Sequence, residues 1–271
     1  MGMKVLFIAE IVGKAGLFTV KKLLPQLKEE HNIDFVIASA DGVTGGFGMG
    51  KNHSIYLRKL GIDVLTTGEC VYYKKDMAPH IAKAPYILRG ANYPATNPGR
   101  GWRYYNVGDK KIAVVNILGQ AGFNRLHLTN PFFLIEGIVE KIKKETNIII
   151  VDFHASTTAE KTTMYYHLDG KVSAVIGTHT KAQSADARVL PGGSAVICDA
   201  GRTGSIQSVG GFDSDIEIKK FLTAIPERSG EAWDGLELQG VLLDINDDGR
   251  ANSIDTLRIP CKEVPDGKGS D

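Results

Sequence analysis

Five apolar runs in this chain each end on a side chain able to ligate a metal ion: VLFIA before Glu10, FVIASA before Asp41, VLTTG before Glu69, IIIVDF before His154 and AVIGT before His179. Short apolar runs without a helical period read as buried strands. In an open α/β sheet the ligand site lies beyond the carboxyl ends of such strands, so residues far apart in sequence converge there. Two imidazoles and three carboxylates meeting at one sheet end suit a hydrolytic metal centre.

Helical periods separate the first runs. LFTVKKLLPQLKEEH places Val20, Leu23, Leu24 and Leu27 on one face, with Pro25 marking a kink or an early helical position. NHSIYLRKLG predicts a helix stopped by Gly61, and a further helix is expected near Lys74 to Lys83. This β-α-β-α rhythm predicts a layered α/β fold with helices on both faces of the sheet. Between Gly99 and Leu118 the pattern changes to two strand-like runs around Gly108-Asp109, a hairpin signal, so the sheet is expected to be mixed. A helix over about Phe132 to Glu145, another from about Thr157, short strands at ARVLP and SAVICDA, and late strands at ELQGVLLDI and DTLRI complete the reading. Residues 1–262 read as one domain and 263–271 as a frayed, flexible tail.

Bulk properties exclude several classes. With 32 Lys+Arg against 31 Asp+Glu, no global field favours nucleic acid or an acidic membrane surface. No apolar stretch is long enough to span a bilayer. Cys70, Cys198 and Cys261 are odd in number and form no CxxC pair, which argues against a disulfide framework and for a reducing, cytoplasmic setting. Glycines 45, 46, 48 and 50 follow Asp41 but lack the Gly-Lys-Ser/Thr of a P-loop.

The strings KVLFIAEIVGKAG, TTGECVYYKKD, RGANYP, DFHASTTAEK, GTHTKAQSAD and DAGRTG resemble the calcineurin-like metallophosphoesterases, and within them the YmdB-type bacterial cyclic-nucleotide phosphodiesterases. The resemblance covers nearly the whole chain. It implies a mixed-sheet α/β sandwich, a centre of divalent ions such as Fe, Mn or Zn, and cleavage of small phosphodiesters, among them 2′,3′-cyclic nucleotides. It also implies homo-oligomers as possible partners.

Against that family pattern the chain departs at several positions. The usual Gly-Asp after strand one is Ala9-Glu10, the usual Gly-Glu-Asn is Ala40-Asp41-Gly42, and the usual Gly-Asn-His is Gly68-Glu69-Cys70. His154 and His179 are kept, whereas the last histidine of Gly-Thr-His-Thr-His has become Lys181. The resemblance assigns one metal to Asp41, Glu69, His154 and His179, all still donors. It assigns the other to Glu10, Asp41 and the position of Lys181, whose ammonium cannot ligate while protonated. One ion is therefore expected, with Lys181 supplying the charge of the second: three carboxylates near −3 face one divalent ion and one ammonium. Cys70 stands where the family places a proton-donating histidine, either as a weak donor or as a small residue filling the space.

Asn92 and Arg89 in RGANYP are candidates for the substrate rim, although a turn explains the segment equally well. Arg202 offers a guanidinium fork to a phosphate, or else forms a surface ion pair. His31, His53, His80, His127 and His167 are expected to be solvated. Two readings follow: a phosphodiesterase with altered chemistry, or a catalytically silent descendant that binds a metal, nucleotide or protein through the old site.

Overall fold

Alternation along the strands fixes the layers. In β1 (Met3–Ile8), Met3, Val5 and Phe7 enter one hydrophobic cluster while Leu6 and Ile8 enter another, because successive strand side chains point to opposite faces. The computed structural model describes residues 2–123 and 126–263. After β1 come β2 (Glu10–Ile11), α1 (Gly13–Glu30), β3 (Phe35–Ser39), α2 (Lys51–Lys59), β4 (Val64–Thr66), α3 (Met77–Ile81) and β5 (Ile87–Leu88). The hairpin β6 (Trp102–Val107) and β7 (Lys110–Leu118) follows, then α4 (Pro131–Ile142), β8 (Ile148–His154), α5 (Thr158–Leu168) and β9 (Ala174–Thr178). The remainder is β10 (Arg188–Val189), β11 (Ala195–Ile197), β12 (Arg202–Ser205), α6 (Ser214–Thr223), β13 (Leu236–Ile245) and β14 (Ala251–Pro260).

These strands form two mixed sheets, and this corrects the single sheet that the rhythm predicts. One runs β2-β12-β13-β1-β3-β4-β5 with β14 beside β13, and the other runs β10-β11-β9-β8-β7-β6. Their inner faces meet in a shared core of Val5, Phe7, Ile37 and Val64 from the first sheet and Val114, Ile150 and Ile176 from the second. The outer face of the first sheet packs on α1 and α2 through Val20, Leu24 and Leu57. That of the second packs on α4 and α5 through Ile135, Val139, Met164 and Tyr165. The result is an α/β/β/α sandwich.

Period-two patterning also aims the site. In β8, Ile148 and Ile150 face the inter-sheet core, so Asp152 and His154 project the same way at the carboxyl end of the strand. β1, β3 and β4 run parallel in one sheet and β8 and β9 in the other, and the contact of Glu69 with His154 shows that both sets of carboxyl ends meet here. Buried Asn116 ties the two sheets together there, donating from Nδ2 to the Thr67 and Leu88 carbonyls at 2.6 and 3.0 Å.

Local features follow the sequence with some differences. Gly108 turns the β6–β7 hairpin at φ 59°, and Gly61 ends α2 at φ 98°. Pro25 lies inside α1, where the helix runs on to Glu30. Its ring is on the exposed side, so water can satisfy the carbonyl left without an N–H partner. The sequence reading missed β12 and α6; α6 is capped by Asp213, which accepts from the Asp215 and Ile216 amides. Apart from Glu263, the expected tail lies outside the described residues.

Candidate metal centre

The sandwich brings the predicted strand-end residues together. Glu69, His154 and His179 each offer a ligand atom within 4.8 Å of one another, and so do Asp41, Glu69 and Cys70. His154 Nε2 lies 2.7 Å from Glu69 Oε2 and 3.2 Å from His179 Nδ1, and His179 Nδ1 lies 3.6 Å from the same Glu69 oxygen. Gly68 makes this closeness possible: a Cβ there would stand 2.2 Å from His154 Nε2 and 2.7 Å from Asp41 Oδ2.

Glu10 belongs to the other side of the cluster. Its Oε1 pairs with Lys181 Nζ at 3.2 Å, while its buried Oε2 has no hydrogen-bond partner. The charge of Glu10 raises the Lys181 pKa, so the ammonium persists at neutral pH. Asp41 accepts from the Gly68 and Cys70 amides at 2.6 and 3.1 Å. Burial first, then the charge of Glu69, raises the Asp41 carboxyl to about 7. Burial works against charged Glu69, but bonds from His154 and His179 outweigh it and hold the carboxyl well below its usual range. Burial likewise opposes a charged His154, and Glu69 overcomes it, leaving the imidazole at about 9. Converging N and O donors, an orphaned carboxylate oxygen and a carboxyl raised by burial and by negative neighbours fit a divalent cation.

Several supporting residues were not singled out from sequence. His154 Nδ1 meets Thr178 Oγ1 at 2.9 Å, and Thr178 donates that hydroxyl to Asp152 Oδ1 at 2.7 Å. This chain fixes the ring orientation that points Nε2 into the cluster. Phe123 stacks on the His154 ring at 6.0 Å and meets His179 edge-on at 5.0 Å. The loop after β9 is strained, with His179 at φ 100° and Lys181 at φ 62°. Asp199 secures it, accepting from Thr180 N at 2.9 Å, Thr180 Oγ1 at 2.6 Å and the buried Lys161 ammonium at 2.9 Å. Period-two alternation marks Asp152 as sharing the face of His154; nothing local in sequence marks Asp199.

Other candidates are committed elsewhere. Arg202 donates to the carbonyls of Ser205, Lys181 and Ile206 at 2.9, 2.8 and 3.1 Å, so its fork braces the Lys181 loop and does not stand open to a phosphate. Asn92 is buried, donating to the Leu118 and Thr129 carbonyls and accepting from Leu118 N, which makes it a strut between loops. Cys70 is buried; burial, then the charges of Asp41 and Glu69, push its thiol far above the usual range, so it keeps its proton. His53, His80 and His167 are not freely solvated: they sit beside Thr44 Oγ1, Ser54 Oγ and the Phe132 carbonyl at 2.7, 3.0 and 3.1 Å.

A two-sheet sandwich with its donors at the strand ends defines the calcineurin-like metallophosphoesterase fold. The likeness extends to 5′-nucleotidase from Candida albicans, at TM-score 0.58 and 12% identity, covering 95% of this chain and 52% of that one. Residues 6–257 match the YmdB-like protein family, and the chain belongs to it. It is 36% identical over 245 residues to the Bacillus subtilis 2′,3′-cyclic-nucleotide 2′-phosphodiesterase, covering 90% of this chain and 92% of the relative. A Mycoplasma pneumoniae structure described as a novel phosphatase aligns at TM-score 0.89 and 31% identity over 96% of this chain and 94% of that one. A Thermus thermophilus protein aligns at TM-score 0.88 and 28% identity over 97% and 100%. Among the described residues no helix is long and apolar enough to cross a membrane.

Proposed function

We propose that the chain is a cytoplasmic, metal-dependent phosphodiesterase acting on 2′,3′-cyclic nucleotides or similar small phosphodiesters, with one divalent ion in place of two. The observation that carries the single-ion reading is the Lys181–Glu10 pair, 3.2 Å apart where the family pattern would put a second ion. Asp41, Glu69, His154 and His179 would hold the ion, Fe, Mn or Zn by their donor types. Once bound, such an ion supplies Lewis acidity toward a phosphoryl oxygen.

The chain's own groups do the rest. Thr178 and Asp152 hold His154 in one orientation. Lys181 balances Glu10 and presents positive charge to an incoming phosphodiester. Phe123 walls the imidazoles on one side, limiting water around them. Cys70 retains a proton but is a weak donor, so leaving-group protonation is the weakest step of this site. The relatives named for phosphodiesterase and phosphatase activity support a hydrolase over a silent descendant.

The test is metal content by mass spectrometry together with hydrolysis of 2′,3′-cAMP and a bis-aryl phosphodiester with Mn, Fe or Zn added. One ion per chain and turnover abolished by His154→Ala are expected. Two tightly bound ions per chain would overturn the single-ion reading. No turnover in the parent, with activity appearing in Cys70→His/Lys181→His, would establish the silent descendant instead.

A further inference from the structure

Away from the donor cluster, a groove of about 1000 Å³ opens between the segment 81–104 and α4. Arg89, Arg100, Arg103 and Lys141 line it, and no Asp or Glu does. In a chain whose charges nearly cancel, this is a local excess of about four positive charges. None of the four has a carboxylate partner among the described residues.

Arg89 is the decisive member. It is 5% exposed, and its guanidinium reaches only neutral oxygens, the carbonyls of Gly90, Pro94 and Asn97 at 2.7, 3.4 and 3.5 Å. Its buried Nε has no partner at all. A buried cation without a counter-charge is costly, and nearby Arg100 adds repulsion; burial first, then that charge, lower the Arg89 pKa. An anion in the groove relieves both costs. Trp102 adds a large ring to the same wall, with the Lys141 ammonium 5.6 Å from its centroid. The groove lies at the upper end of the size range of small-molecule sites, roughly 300–1,000 Å³.

We propose that this groove binds a phosphorylated small molecule of nucleotide size, its phosphate drawn to the arginines and its ring to Trp102. The site is distinct from the donor cluster, although Tyr93 separates the two, lining the groove while close enough to Asp41 and Glu69 to feel their charges. The inference does not depend on the hydrolytic reading.

The experiment uses 5′-AMP as probe on metal-free full-length chain, followed by calorimetry and tryptophan fluorescence. Saturable binding is expected in the parent and in His154→Ala, weakened at least tenfold by Arg103→Glu and by Lys141→Glu, which change solvent-accessible side chains. The fluorescence change is expected to vanish in Trp102→Phe while calorimetric binding persists. Binding lost in His154→Ala but kept in both charge reversals would place the nucleotide in the donor cluster and overturn the proposal. No saturable binding up to millimolar 5′-AMP would overturn it as well. So would charge reversals that change the sedimentation mass and leave 5′-AMP binding untouched, since the groove would then face another copy.

Discussion

The two halves of the centre are built from similar residues but have opposite electrostatic characters. Around Glu69, His154 and His179, one carboxylate meets two imidazoles at 2.7 and 3.6 Å, a set of donors of the kind that divalent ions take. Around Glu10, the carboxylate already has a cation beside it in Lys181, mostly enclosed and set on a backbone turn of positive φ. A histidine can lose its proton and accept a metal, whereas an ammonium beside a carboxylate holds its proton more tightly. In the proposed single-ion reading, the fold would carry one exchangeable and one permanent positive charge.

Breaking the first half has the larger consequence. His154→Ala removes a donor together with its bond to Glu69 and should lower metal-dependent turnover by more than about 100-fold, since loss of even an outer support costs 10–100-fold. Steady-state hydrolysis with added Mn measures it; an effect under tenfold would detach His154 from the centre. In the second half the expected loss is in stability. Lys181→Met strands Glu10, 3% exposed, and should cost about 2–3 kcal/mol in urea unfolding. That is below the range for a fully buried pair because the Lys181 side chain keeps 21% of its surface in solvent.

Thr178→Val preserves shape but cuts both bonds of the Asp152–Thr178–His154 chain, and metal affinity should fall about 10- to 100-fold. Competition with a chelator measures it, and an unchanged affinity would reduce that chain to packing. Lys181→His should sharpen the contrast by raising bound metal from one ion to two, read by mass spectrometry. Cys70→Ser should have the smallest effect, less than about threefold on turnover, because the thiol is already a protonated, weak donor. A large loss there would make Cys70 a participant in the chemistry.

Much of the centre was legible because its residues follow strand ends, where an apolar run stops and a functional side chain begins. Glu10, Asp41, Glu69, His154 and His179 stand at such stops; parallel pairing aligns the stops within each sheet, and the packing of the two sheets brings the two sets together. The surroundings of Arg202 and Asn92 were not legible, for one reason. Sequence shows a side chain's hydrogen-bonding capacity but not which carbonyls fold around it, and both residues spend that capacity on main chain. Asp199 carries no local mark because its partners Lys161 and Thr180 reach it from α5 and from the loop after β9, 38 and 19 positions away.

The sequence by itself determined the elements, the faces they bury and the order of donors along the chain, because these depend on local periodicity and on where it ends. The tertiary structure decided how the strands are shared between two sheets, how closely Lys181 approaches Glu10, and that four cations line one groove. Those outcomes depend on long-range packing and on electrostatics between residues up to 171 positions apart in the case of Glu10 and Lys181. No local pattern encodes such a distance.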